Sequence, residues 1–217
     1  MGDLRFLKDE SGQQFDRRYF TPKDHSSLLA STLKIGVASY ADGGPEVEEF
    51  FSPLLASMEK VGRGAANEGF FRADSRLVVV FLTDADDSTS QTTPEQVASK
   101  LVEFKGGMPE KVSVYGVITR KDDPDEYKDW ALRVHPKYHP ECFTSKGKSV
   151  KLNEKCSDGF GPERLEQLIV LANNESLSPD EKLKKFSMSI SSKNFGSDLA
   201  SIGADINEKT LQKVIRL

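Results

Sequence analysis

The fold class of this chain is decided by the stretch RLVVVFLT, residues 76–83. This short, unbroken apolar run is rich in β-branched side chains, and such runs are typical of strands covered on both faces in the middle of a parallel sheet. The run stops at an acidic loop, DADDST, residues 84–89. We therefore predict a buried parallel strand whose carboxyl end carries several carboxylates.

A helix and a second strand follow the acidic loop. Thr93 is the predicted N-cap, Pro94 occupies the first helical position, and Gln96 completes a capping box. Residues 112–118, VSVYGVI, have the composition of another strand. Strand, helix and strand in this order form a βαβ unit, for which parallel strands and a right-handed crossover are the rule. The unit predicts an α/β fold.

Apolar spacing predicts further elements on both sides of this unit. Upstream, residues 47–61 have helical spacing, so one face of that helix must be buried. Residues 120–160 are polar and interrupt the alternation of strands and helices, which indicates an insertion. Downstream, the pattern predicts a helix around 165–172, a capping box at 178–181, a short strand near 186–190, a helix over 195–206 and the start of a strand at Val214.

Length and charge limit the classes of protein. The chain, residues 1–217, has one composition throughout, and its length fits a single domain. The net charge is −4, and lysine and arginine are spread along the sequence. Because no basic footprint for a phosphate backbone is present, nucleic acid is not an expected partner. No apolar run approaches the roughly 20 residues of a membrane-spanning helix.

The acidic loop is the expected place for a ligand. In open α/β sheets, ligands bind beyond the carboxyl ends of the strands. The side chains of Asp84, Asp86, Asp87 and Ser88 offer hard oxygen ligands suited to Mg²⁺, Ca²⁺ or Mn²⁺. The alternative is a solvated loop in which Asp87 or Ser88 starts a turn.

Three segments resemble bacterial cell-envelope proteins of the von Willebrand factor type A family. They are NEGFFRAD at 67–74, the strand at 77–83 that ends in TDADD, and FGSDLASIG at 195–203. The similarity covers roughly residues 30–120 and 160–215. It implies a three-layer α/β/α sandwich with a mainly parallel, Rossmann-like sheet. It also implies a non-enzymatic adhesion module that recognises a protein or cell-surface ligand through loops at the carboxyl ends of the strands.

The resemblance also implies a metal-ion-dependent adhesion site, in degenerate form. Asp84 matches the aspartate that ends the family's fourth strand. The loop at 42–46, DGGPE, has Gly or Pro where the family has a hydroxyl, and we take the family's first motif, Asp-x-Ser-x-Ser, to be missing from the chain. We therefore expect weak binding of a divalent cation. We also expect that the chain lacks the family's N-terminal strands: either it is a truncated product, or a separate fragment or self-association completes the sheet. A cell-envelope, periplasmic or secreted location follows from the resemblance alone.

A second interpretation makes the chain an enzyme. Residues 84–88 approach the D-x-D-x-[TV] signature of haloacid-dehalogenase-like phosphatases, with Ser88 in place of Thr or Val. Asp84 would then be the nucleophile and Asp86 the general acid and base, with Mg²⁺ beside them.

The polar insertion holds both cysteines. Cys142 and Cys156, together with His135 and His139, could form a tetrahedral zinc site. Alternatively, the two cysteines form a disulfide across a surface loop or remain free thiols. The resemblance to proteins of an oxidising compartment favours the disulfide.

Overall fold

The computed structural model describes residues 4, 6–21, 23–33, 49–120, 123, 143–146, 149–152 and 162–215. By their internal contacts, the residues form two compact units, 1–75 and 76–217. The assignment of the whole chain to one domain stays a prediction.

The first unit contains two helices, α1 (Ser26–Leu33) and α2 (Phe51–Glu59). The buried side chains Phe51, Leu55 and Met58 lie on one face of α2, as the apolar spacing predicts. The buried amide of Asn67 joins segments of this unit: it accepts the backbone N–H of Leu4 at 2.9 Å and donates to the carbonyl of Ser57 at 2.9 Å. The loop 42–46 lies outside the described residues.

The second unit is a mixed α/β structure around a small parallel sheet. Its strands follow the order β1-β2-β5, and both pairings are parallel. A separate antiparallel hairpin is formed by β3 and β4. The elements are β1 (Leu77–Thr83), α3 (Pro94–Phe104), β2 (Val112–Ile118), β3 (Phe143–Lys146), β4 (Ser149–Leu152), α4 (Glu163–Ala172), α5 (Pro179–Phe186), β5 (Ser187–Ser189) and α6 (Phe195–Ile215).

Local signals place several of these elements correctly. The capping boxes at Thr93 and Ser178 are both formed, with Gln96 and Glu181 as the reciprocal partners. β2 has the predicted bounds. The strand predicted from Val214 is wrong, because α6 continues through Ile215.

In the part of the chain that the structure describes, β1 is not covered on both faces, and there the prediction is wrong. Within the described residues it pairs only with β2 and is the outer strand of the sheet. Val80 is 47% exposed and Leu82 is 57% exposed, whereas Phe81 on the opposite face is buried. The centre of the sheet is β2, where all seven residues are buried. An apolar run therefore marks β1 as a strand, but its position in the sheet depends on partners that the run does not encode.

The two faces of β2 pack against different helices. On one face α4 approaches so closely that a Cβ on Gly116 would lie 2.7 Å from Cδ1 of Ile169. On the other face the ring of Tyr115 meets the ring of Phe186, at the end of α5, with centroids 5.6 Å apart. β2 is therefore enclosed by α4 on one side and by the α5 end on the other.

The polar insertion contains the β3–β4 hairpin, in which Phe143 pairs with Leu152 and Lys146 with Ser149. His135, His139, Cys142 and Cys156 lie outside the described residues. The disulfide, the free thiols and the zinc site therefore stay predictions.

Candidate functional site

The carboxyl ends of three parallel strands meet at one edge of the sheet. β1 ends at Thr83, β2 at Ile118 and β5 at Ser189. The acidic loop follows the first of these strands. Thr83 starts the turn, since its hydroxyl oxygen accepts the N–H of Ala85 at 2.9 Å. Asp84 is exposed and Ser88 is half-buried, so both reach the solvent side of the loop.

Asp86 points to the start of α4. Its Oδ2 accepts the N–H of Arg164 at 3.1 Å, and its Oδ1 accepts the N–H of Leu165 at 3.1 Å and of Asp87 at 2.8 Å. Pro162, the N-cap of α4, makes no side-chain capping bond. Asp86 thus satisfies helix N–H groups that α4 cannot satisfy by itself. Burial nevertheless raises the pKa of Asp86 to about 6, against the lowering effect of these bonds.

Asp87 is held by Arg164, and its side chain has no exposed surface. Its Oδ2 accepts both Nε and Nη2 of Arg164 at 3.1 Å. Its Oδ1 accepts the hydroxyl of Thr89 at 2.8 Å. Nη2 of Arg164 also donates to the carbonyls of Thr89 and Thr92. We call these contacts between Arg164 and residues 87–92 the arginine clamp.

The structure therefore divides the four predicted metal ligands into two pairs. Asp86 and Asp87 direct their oxygens to backbone N–H groups, to Thr89 and to the guanidinium group, while Asp84 and Ser88 lie on the open side. Among the described residues, no group of three or more His, Cys, Asp and Glu side chains is arranged to hold a metal ion. The metal site stays a prediction.

Two features of the site escape the sequence analysis. The order Asp-x-Ser-x-Ser does occur in the chain, at Asp86, Ser88 and Ser90, directly after β1. A metal at this motif would compete with the N–H groups of α4 for the oxygens of Asp86. The second feature is Arg164, for which one signal exists. A cation in the first turn of a helix opposes the helix dipole and is expected only where a carboxylate compensates it.

A second charged cluster lies on the other side of β2. The hydroxyl of Tyr115 donates to Oδ2 of Asp205 at 2.5 Å. Asp205 and Glu175 both pair with Lys185 and with Lys209, so the cluster ties α5 and α6 together. Burial, followed by the bond to Asp205, raises the pKa of Tyr115. Through Asp205, the phenol therefore joins a network of two carboxylates and two ammonium groups, which has the character of a structural network.

Comparison with protein-family models, with curated proteins and with solved structures finds no match to this chain. In the described part of the chain, no helix has the length and apolar character needed to cross a membrane.

Asp86 should couple the stability of the chain to pH. Its pKa is about 6 in the folded state and 3.8 as an ordinary aspartate, so the folded state takes up a proton more readily between these values. The stabilising contribution is complete below about pH 4 and is lost as the pH rises through 6. Relative to Asp86→Asn, the wild type should gain up to about 3 kcal/mol of unfolding free energy between pH 7 and pH 4.

Urea unfolding of both proteins at a series of pH values measures this difference directly. The asparagine variant cannot titrate at position 86, so every other pH-dependent contribution is common to both proteins. A difference that stays constant, or that grows toward pH 7, contradicts the assignment.

Proposed function

We propose that this chain is a non-enzymatic binding module that recognises a protein or surface partner through the loops at the carboxyl ends of its parallel strands. The observation that carries the proposal is the fixed geometry of the acidic loop. The arginine clamp and the cap on α4 fix residues 86–92 through hydrogen bonds to the start of α4, while Asp84 stays exposed. A loop fixed in this way loses little conformational entropy when a partner binds.

We propose further that the architecture is the three-layer α/β/α sandwich of von Willebrand type A domains. The parallel sheet and the packing of α4 and of the α5 end on opposite faces of β2 support this. The similarity of NEGFFRAD and of the strand ending in TDADD to that family supports it too.

The proposed metal site is a degenerate one in which Asp84 is the main contact and Ser88 a neighbour. A single exposed carboxylate holds Mg²⁺, Ca²⁺ or Mn²⁺ weakly, because hard cations need several oxygen ligands. With a dissociation constant near 10 mM, 10 mM of cation adds only about 0.4 kcal/mol of stability. The melting temperature should then rise by about 1–2 °C.

The alternative function is a Mg²⁺-dependent phosphatase. The exposure of Asp84 suits a nucleophile, and a pKa of about 6 suits Asp86 as a general acid and base. Against this, Asp86 directs both oxygens to backbone N–H groups at the start of α4 and beside it. A proton carrier needs an oxygen directed at the substrate, so the binding module is the better supported function.

Site-specific crosslinking tests the binding surface. A photoreactive residue at position 84 should give covalent adducts with a partner from a cell-surface extract of the source organism. The matched control is the same residue at position 103, which is exposed on α3. Adducts at position 84 but not at 103 are the expected result. Equal labelling at the two positions, or none at either, contradicts a binding surface on this loop.

A hydrolysis assay separates the two functions. The binding module should release no phosphate from p-nitrophenyl phosphate in the presence of Mg²⁺. Hydrolysis that disappears in Asp84→Asn would replace the binding proposal with the phosphatase. The asparagine variant keeps the size of the side chain, so the comparison isolates the carboxylate.

A further inference from the structure

A polar cavity of about 510 Å³ opens at the carboxyl ends of β2 and β5. Arg120 lines it just beyond β2, and Ser191 and Lys193 line it between β5 and α6. The buried side chains of Met188 and Ile202 provide an apolar part of the wall. The volume lies within the range of roughly 300–1,000 Å³ that small-molecule sites occupy.

Positive charge is in excess around this cavity. Its charged lining consists of Arg120, Lys184, Lys185, Lys193, Asp123 and Asp198, so four cations face two carboxylates. Lys185 shares its charge with Glu175 and Asp205. Lys184 and Lys193 are exposed, and Lys193 forms no ion pair with any described residue. The charge available to a ligand therefore comes chiefly from the exposed Lys184 and Lys193.

The two carboxylates of the cavity organise its wall. Oδ2 of Asp123 accepts the N–H of Arg120 at 2.8 Å and the hydroxyl of Ser189 at 2.7 Å. Oδ2 of Asp198 accepts the hydroxyl of Ser192 at 2.6 Å. These bonds fix the segments that follow β2 and β5. They also direct one oxygen of each carboxylate to donors of the protein and not to the cavity. Four of the five lining serines donate their hydroxyl protons within the protein, so the donors that remain for a ligand are the two exposed lysines and the hydroxyl of Ser191.

We propose that this cavity binds a small ligand that carries a phosphate group. Phosphate oxygens accept from ammonium and hydroxyl donors, and Lys184, Lys193 and Ser191 supply these donors in the cavity lining. The apolar part at Met188 and Ile202 suits a short organic portion of the ligand. The site is separate from the acidic loop after β1 and does not depend on the binding function proposed for that loop.

Titration of the full chain with phosphate probes, followed by amide chemical shifts at constant ionic strength, tests the proposal. Inorganic phosphate and glycerol 3-phosphate are the two probes, and chloride is the reference for nonspecific charge effects. Saturable shifts confined to Arg120 and to residues 189–198 are expected with at least one probe. Tighter binding of glycerol 3-phosphate identifies an organic phosphate as the ligand, while equal binding identifies inorganic phosphate.

Two double variants complete the test. Lys184→Gln with Lys193→Gln should raise the dissociation constant at least about tenfold, because two charge-assisted contacts are lost. The control is Lys100→Gln with Lys111→Gln, which removes the same charge from positions outside the cavity lining. The absence of saturable shifts, shifts equal to those with chloride, or equal weakening by both double variants would overturn the proposal. None of these outcomes depends on whether the loop at Asp84 binds a partner.

Discussion

Replacing Arg164 by alanine should lower the free energy of unfolding of the chain by about 3–5 kcal/mol. The reason is that the buried carboxylate of Asp87 loses its guanidinium partner. Its side chain has no exposed surface, and two of its bonds come from the guanidinium group. The same substitution removes the donors to the carbonyls of Thr89 and Thr92. Urea unfolding followed by circular dichroism measures the loss.

A second substitution tests whether the loss comes from the charge of Asp87 or from a general loss of packing. Adding Asp87→Asn to the alanine variant removes the buried charge that has lost its guanidinium partner, and it should restore at least half of the lost stability. Lys100→Ala, an exposed cation on α3, is the matched control and should change stability by less than about 0.5 kcal/mol. A loss below about 1 kcal/mol for Arg164→Ala would show that water or another donor satisfies Asp87.

Replacing Asn173 by leucine should cost about 2–4 kcal/mol, because it leaves two backbone groups of the central strand unpaired. The side chain of Asn173 accepts the N–H of Val114 at 3.3 Å and donates to the carbonyl of Val114 at 2.7 Å. β5 begins only opposite Gly116, so no strand of the described sheet reaches Val114 on that side. Asn173 takes the place of the missing strand at this position. It also donates to the carbonyl of Ile169 in α4.

Hydrogen exchange at the amide of Val114 reports this role independently of overall stability. Its protection should fall in Asn173→Leu by more than the change in global stability accounts for. Asn174→Leu is the matched control, since Asn174 is the exposed neighbour. If the two leucine variants have the same stability and the same protection at Val114, the bridging role is wrong.

The βαβ unit could be predicted because its signals are local. Four consecutive residues define a capping box, and β2 is a continuous run with the composition of a strand. The position of β1 could not be predicted, because strand order is set by contacts between distant segments. The two residues at Val214 and Ile215 are too few to distinguish the period of a strand from that of a helix, and they continue α6.

For the candidate site, the sequence predicts a place, which stays a prediction, and it does not predict the partners of the acidic side chains. The carboxyl end of β1 carries Asp84 in the exposed position that the strand prediction implies. The binding of Asp86 to α4 and of Asp87 to Arg164 joins positions that are 77 to 79 residues apart. Such pairs have no signature in the linear pattern, because each residue alone suits an ordinary loop or helix. The bridging role of Asn173 is hidden for the same reason.

The long sequence separation within the arginine clamp also bears on the time for which the chain stays folded. Contacts between distant segments form only after the chain has closed a large loop, whereas α3 and its capping box draw on neighbouring residues. We therefore expect the clamp to be among the contacts that are made late in folding. Bonds of this kind contribute little to the rate of folding and mainly slow the rate of unfolding. We therefore expect Arg164 to slow unfolding of the native state and so to prolong the lifetime of the loop geometry that it fixes.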